Sequence, residues 1–192
     1  MPAPLRKRLR ALPNQVEGDG VIEVRLSEMA QLFNSLDPSP FHERDLDQDA
    51  EEYIVGWARE LRANAPLRII FHLPVVEARK AEERGLSTAL ANYFSERALM
   101  QQRDLNELFR VGQRYLSIGA PLLVLCLIGS QLARTRLGTG ALGSAIAESL
   151  VLLGWVANWK PIETFLYDWW PLKRRRDLYR RLASAVVEIR GR

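Results

Sequence analysis

The chain has 192 residues, with 27 Lys or Arg against 23 Asp or Glu, two His and one Cys. That length accommodates one soluble domain of roughly 100 residues and little more, so two large domains are excluded. The lone Cys126 excludes an intrachain disulfide and a cysteine-based metal site, and no cofactor is expected.

The mean hydropathy of −0.15 averages a polar N-terminal half with an apolar C-terminal half. The net charge of +4 also hides a segregation. Residues 37–52 hold seven carboxylates and one Arg, whereas residues 160–192 hold nine Lys or Arg against four Asp or Glu. Basic residues beside an apolar span reflect topology and anionic lipid headgroups, so nucleic acid is not the expected partner.

Residues 1–20 form a basic tail with Arg6, Lys7, Arg8 and Arg10. It lacks the apolar core of a secretory signal, which leaves insertion to internal spans. The Leu5, Leu9 and Leu12 spacing fits either a short amphipathic turn on lipid headgroups or a flexible tail.

Val21 to Leu26 alternates and is β-branched, which predicts a half-buried strand with Ile22, Val24 and Leu26 on one face. Ser27 is placed to cap a short helix through Leu36. Pro38 and Pro40 then impose an extended loop. Asp49 with Glu52 three residues on has capping-box spacing, and a helix from there to Ala63 buries Tyr53, Ile54, Trp57, Ala58 and Leu61.

Leu67 to Leu73 predicts a second strand. Val75 to Tyr115 is helical with a break at Gly85. Strands joined through a helical crossover should run parallel. Two strands make a poor sheet with two open edges, so completion by a partner, a second copy or another segment is expected. The alternating end of the chain, with Ala185, Val187 and Ile189, is one candidate for that segment.

Leu116 to Ala133 is eighteen residues without a charge, flanked by Arg114 and Arg134. At 1.5 Å per residue it reaches roughly 27 Å, close to the hydrocarbon thickness of a bilayer. Ala141 to Trp159 is a second apolar stretch after a short loop. Gly140 with Ser144, and Gly143 with Ala147, have the small-xxx-small spacing that lets helices approach closely.

Trp155, Trp159, Tyr167, Trp169 and Trp170 form an aromatic belt of the kind found at the lipid–water interface. Asp168 within that belt is placed to pair with Arg174 or Arg175 on a basic helix at headgroup level. The positive charges before the first span and after the second outnumber Arg134 and Arg136 in the connection, which puts both termini in the cytoplasm.

The expected class is therefore an α+β membrane protein. A small cytoplasmic β-α-β-α unit with a long connecting helix occupies 21–115. A transmembrane hairpin occupies 116–159, with spans 116–133 and 141–159. An interfacial aromatic and basic segment, including an amphipathic helix, occupies 160–192.

Leu36-Asp37-Pro38-Ser39-Pro40-Phe41 and Tyr167-Asp168-Trp169-Trp170-Pro171 are the most specific local motifs. With them, most of residues 21–190 resembles a family of uncharacterised bacterial two-span inner-membrane proteins. The resemblance implies a bacterial inner membrane and the hairpin topology. It transfers no activity.

Two constellations carry possible chemistry. Asp37, His42, Asp45 and Asp47 are hard ligands or acid–base groups in one loop, and would serve a metal-dependent hydrolase acting at the membrane surface. The bland alternative is a solvated helix start after a Pro-rich turn. In a docking alternative, Phe41 anchors a partner with Pro40 and Arg44 beside it. Glu148 lies about a third of the way into the second span, where a carboxylate is costly without a partner. It is open to Arg134, Arg136, a neighbouring subunit or a proton path through an oligomeric channel.

G-x-S-x-G, P-loop, H-E-x-x-H and C-x-x-C motifs are absent. The leading expectation is a non-enzymatic membrane protein, a scaffold or accessory subunit that forms a homo-oligomer or docks to a larger membrane complex.

Overall fold

The computed structural model describes residues 20–62, 65–138 and 140–192. The expected basic tail before Gly20 lies outside these residues, and the helix expected to reach Ala63 ends earlier, at Glu60, because Leu61 is extended. The protein is mostly helical, with a small three-stranded parallel sheet and two helices long and apolar enough to cross a membrane. It divides into two compact units. One comprises the residues up to Met100 together with Arg175–Arg192, and the other Gln101–Arg174.

The first unit contains strands β1 (Val21–Arg25), β2 (Arg68–Leu73) and β3 (Val186–Gly191). Their order is β1-β2-β3, with Ile22 beside Ile69 and Ile69 beside Val187. The chain's own last segment thus supplies the third strand and leaves β1 and β3 as the edges. Ile22, Val24, Ile69, Phe71 and Leu73 are buried in the core that alternation predicts. The opposite face carries the buried Ile70 among polar residues that approach one another across strands, with Arg68 Nε 3.3 Å from Glu188 and His72 Nε2 3.4 Å from Glu23.

Helices α1 (Gln48–Glu60), α2 (Val75–Glu83), the start of α3 (Leu86–Leu137) and the end of α6 (Trp169–Ala183) contribute to the same unit. Ala50, Ile54 and Ala58 of α1, Leu86, Leu90 and Phe94 of α3, and Leu182 of α6 share one core with the strands. The break between α2 and α3 falls at Gly85, whose φ of 69° is in the left-handed region that glycine occupies at little cost.

Two local expectations are corrected. Residues 27–36 form only a short turn of tight helix, Met29–Leu32, and Ser27 does not cap it. The backbone there bonds to a neighbouring segment instead: Asn34 N donates to Asp45 O, and Asp47 N donates to Leu32 O. Capping of α1 falls to Asp47, whose carboxylate accepts from Asp49 N at 3.0 Å, and not to Asp49.

The second unit is a helical hairpin. The rest of α3 runs antiparallel to α4 (Ala141–Ala157), followed by α5 (Trp159–Glu163), one wide π-type turn (Thr164–Asp168) and the start of α6. The apolar surface faces outward: Ile118, Leu125 and Leu142 are 69%, 65% and 81% exposed. Only 22% of the most apolar window in each long helix is buried. A soluble helical hairpin would turn such residues inward.

Candidate functional site

In the first unit, the densest polar cluster is centred on Glu51, in the first turn of α1. Tyr93 Oη donates to Glu51 Oε2 at 2.8 Å, and Tyr179 Oη donates to Glu51 Oε1 at 2.9 Å. Arg97 Nε donates to Tyr93 Oη at 2.9 Å, and its guanidinium lies 3.5 Å from Glu51. Tyr93 and Arg97 meet because they are four apart on α3. The Tyr179 ring stacks on Phe94 at 6.3 Å.

Burial, followed by the hydrogen bond to Glu51, pushes both the Tyr93 and the Tyr179 hydroxyls above the ordinary phenol range. Burial opposes the charge on Arg97, but the Tyr93 hydroxyl and Glu51 outweigh it, so its pKa is raised. A phenol held protonated is a poor base, and a carboxylate engaged by several donors is a poor nucleophile. The cluster therefore fastens α1, α3 and α6 together. Beside it lies a cleft of about 660 Å³ with Arg59, Arg97 and Arg175 on its walls and Gln48, Glu51 and Glu52 between them.

The acidic loop is organised by its own backbone. Asp37 accepts from Ser39 N at 2.9 Å and from Asp45 N at 2.7 Å. These bonds, the Asp45 one foremost, hold its carboxyl below the usual range, and the charge of Arg44 adds to them. Asp47 is the helix cap, and the His42 ring packs on Phe41. Among the described residues, no three His, Cys, Asp or Glu side chains converge as a metal site. Asp37, His42, Asp45 and Asp47 are thus neighbours in sequence that point to separate tasks.

The expected anchor Phe41 is half-buried. Its ring meets Phe33 at 4.9 Å and lies under the Arg84 guanidinium, packed against the core. Arg44 is half-buried and Pro40 exposed. The apolar side chain that does project from this loop is Leu36, 89% exposed.

In the hairpin, the small residues serve the chain itself. A Cβ on Gly154 would stand 2.8 Å from Leu123 Cδ1 and 3.1 Å from Cys126 Cβ. Gly143 is closed in by Gly138 and Leu137, and Ala147 is fully buried. Gly143, Ala147 and Gly154 therefore form the seam between α3 and α4, not an open face for another subunit. Gly140 is exposed with open space around it, and Ser144 Oγ donates to its carbonyl at 2.7 Å. The far end of the seam is locked by Asn158, whose Nδ2 donates to Gly119 O at 2.8 Å and to Gly154 O at 3.0 Å.

Trp155, Trp159, Tyr167 and Trp170 are exposed, whereas Trp169 is half-buried and donates to Phe165 O at 3.0 Å. Asp168 lies 3.5 Å from Lys160 and accepts from Thr164, so the expected partners Arg174 and Arg175 are corrected. Arg174 instead lies 5.0 Å over the Trp170 ring, and Arg175 lines the cleft of the first unit. Glu148 is exposed on α4 and makes no ion pair among the described residues.

The tyrosines, Arg97, Asn158 and Gly119 escape sequence reasoning. Only the Tyr93–Arg97 spacing signals the first cluster. A buried Asn after an apolar helix is the one signal for the second. Gly138, Gly140 and Gly143 have the spacing of a dinucleotide fingerprint, but the first two lie between α3 and α4 and the third in the first turn of α4. They follow a helix and not a strand, and Gly138 has a φ of 74°. No protein-family model, curated protein or solved structure matches the chain.

Proposed function

We propose that this chain is a non-enzymatic integral membrane protein. Its hairpin is the anchor, and its small α/β unit serves as a scaffold or accessory module that self-assembles or docks to a larger membrane complex. The observation that carries this is the outward-facing apolar surface of α3 and α4 around a seam closed by small residues. Such a surface is stable in hydrocarbon and costly in water.

Topology adds support. The chain leaves the first unit, forms the hairpin and returns to the same parallel sheet, so it crosses any membrane an even number of times. The charge bias of the flanks then favours cytoplasmic termini. The exposed Trp155, Trp159, Tyr167 and Trp170 suit the interface, and Arg174 and neighbouring cations suit anionic headgroups. The resemblance at the two motifs favours a bacterial inner membrane. Asp37 and Asp47 are engaged as backbone acceptors, which counts against the metal-dependent hydrolase.

The test is fractionation followed by purification in mild detergent, with mass determination and protein identification. The expected result is retention in membranes after alkaline washing, and either a homo-oligomer or one stoichiometric foreign protein. Release into the soluble fraction would overturn the anchor. A lone monomer would overturn the assembly role.

A further inference from the structure

Glu148 follows the fully buried Ala147 on α4, turned roughly 100° away from the seam. It is exposed, and no hydrogen bond or ion pair among the described residues engages it. Val151, one turn further on the same flank, lines a groove of about 550 Å³ with Ser130, Gln131, Arg134 and Thr135 of α3. Arg134 is likewise exposed and unpaired among the described residues. One flank of an otherwise apolar hairpin thus carries an acid and a base.

The two groups also lie at similar depth. Gly129 meets Leu150, and Leu137 meets Gly143, across the antiparallel seam. Gln131 is therefore opposite Glu148, and Arg134 is three residues, roughly 4.5 Å, nearer the turn. An arginine side chain spans that offset. Both side chains leave the same side of the hairpin. A two-fold axis along the membrane normal preserves depth, so it brings each acid against the other copy's base, twice.

We propose that this flank is the contact between two copies of the chain, with Glu148 of each against Arg134 of the other. The proposal rests on the membrane-hairpin reading and names its partner. A carboxylate in a span then gains the cation it needs, and the groove is closed by a surface like itself.

The experiment uses the full chain with two different tags, reconstituted in lipid nanodiscs or mild detergent. Glu148→Arg alone and Arg134→Glu alone each set like charges together and should lower dimer affinity at least tenfold. Co-expressed, the two variants restore both pairs and should co-purify. Co-purification without loss in the single variants, or an unchanged dimer in both, would overturn the inference and leave self-assembly standing. Loss in both with no rescue on mixing would place the pair within one chain and also overturn it. A monomeric wild type would remove both the inference and the self-assembly reading. If the reversed charges block insertion, Glu148→Gln and Arg134→Gln replace them. Each should then weaken the dimer, and undiminished dimerisation in both would count against the proposal.

Discussion

At the scale of single residues, a few buried polar groups decide which segments meet. Glu51 is engaged by Tyr93, Tyr179 and Arg97, which come from two other helices. Tyr93→Phe should cost about 2 kcal/mol at neutral pH, the scale of a hydrogen bond to a charged group. It should also change the pH dependence. The unfolded phenol ionises near its ordinary value of 10.0, whereas the folded one holds its proton to higher pH. The unfolded state therefore binds fewer protons above that value, and wild-type stability falls as pH rises through it. Urea unfolding from about pH 9 to about pH 11 should show a flatter decline in Tyr93→Phe, with the part due to Tyr179 remaining. Equal slopes would mean that Tyr93 is not held protonated. In the hairpin, Asn158→Ala removes two bonds to backbone carbonyls. The expected loss is about 1 kcal/mol, the scale of a hydrogen bond between membrane helices, read as earlier unfolding in a denaturing-detergent titration.

At the scale of elements, alternation and helical spacing placed both early strands and the inward stripe of α1 with Ile54 and Ala58, because each periodicity is a local property. Local signals misplaced the cap and the helix after Ser27. Asp47 and Asp49 are both good caps, and the choice between them follows from the pairing of Asp47 N with Leu32 O. Gly85 was legible, since no other residue type takes φ 69° as cheaply. Gly85→Ala should lower the stability of the first unit by about 1–2 kcal/mol through backbone strain. The new Cβ would also stand 3.1 Å from His42 Cε1, on an exposed ring that is free to shift. A thermal melt matching wild type would show that the α2–α3 junction relaxes. The small residues of α4 were legible as packing residues, but their partner was not. The same spacing suits contact within a hairpin or between subunits, and only the approach of Leu123 and Cys126 to Gly154 distinguishes them.

At the scale of the whole molecule, the environment of the hairpin is the property most open to test. Leu125 lies on the first of the two helices long and apolar enough to cross a membrane and is 65% exposed. Leu125→Arg should disfavour membrane insertion by about 2.5–3.5 kcal/mol if that surface meets lipid. The same change on a water-facing helix would cost almost nothing, so an unchanged membrane fraction would argue against the span. By itself, the sequence determined the apolar spans, the strand and helix periodicities, the Gly85 break and the segregation of charge, because each is set by neighbours along the chain. Tertiary structure decided what each segment meets. Val186–Gly191 completes the sheet beside β2, far earlier in the chain. Glu51 draws in Tyr179 from 128 positions away, and Asp168 takes Lys160 in place of Arg174 or Arg175. The physical reason is that a periodicity shows that a face will be buried or a charge matched. The partner depends on which distant side chains the folded backbone brings within about 3 Å.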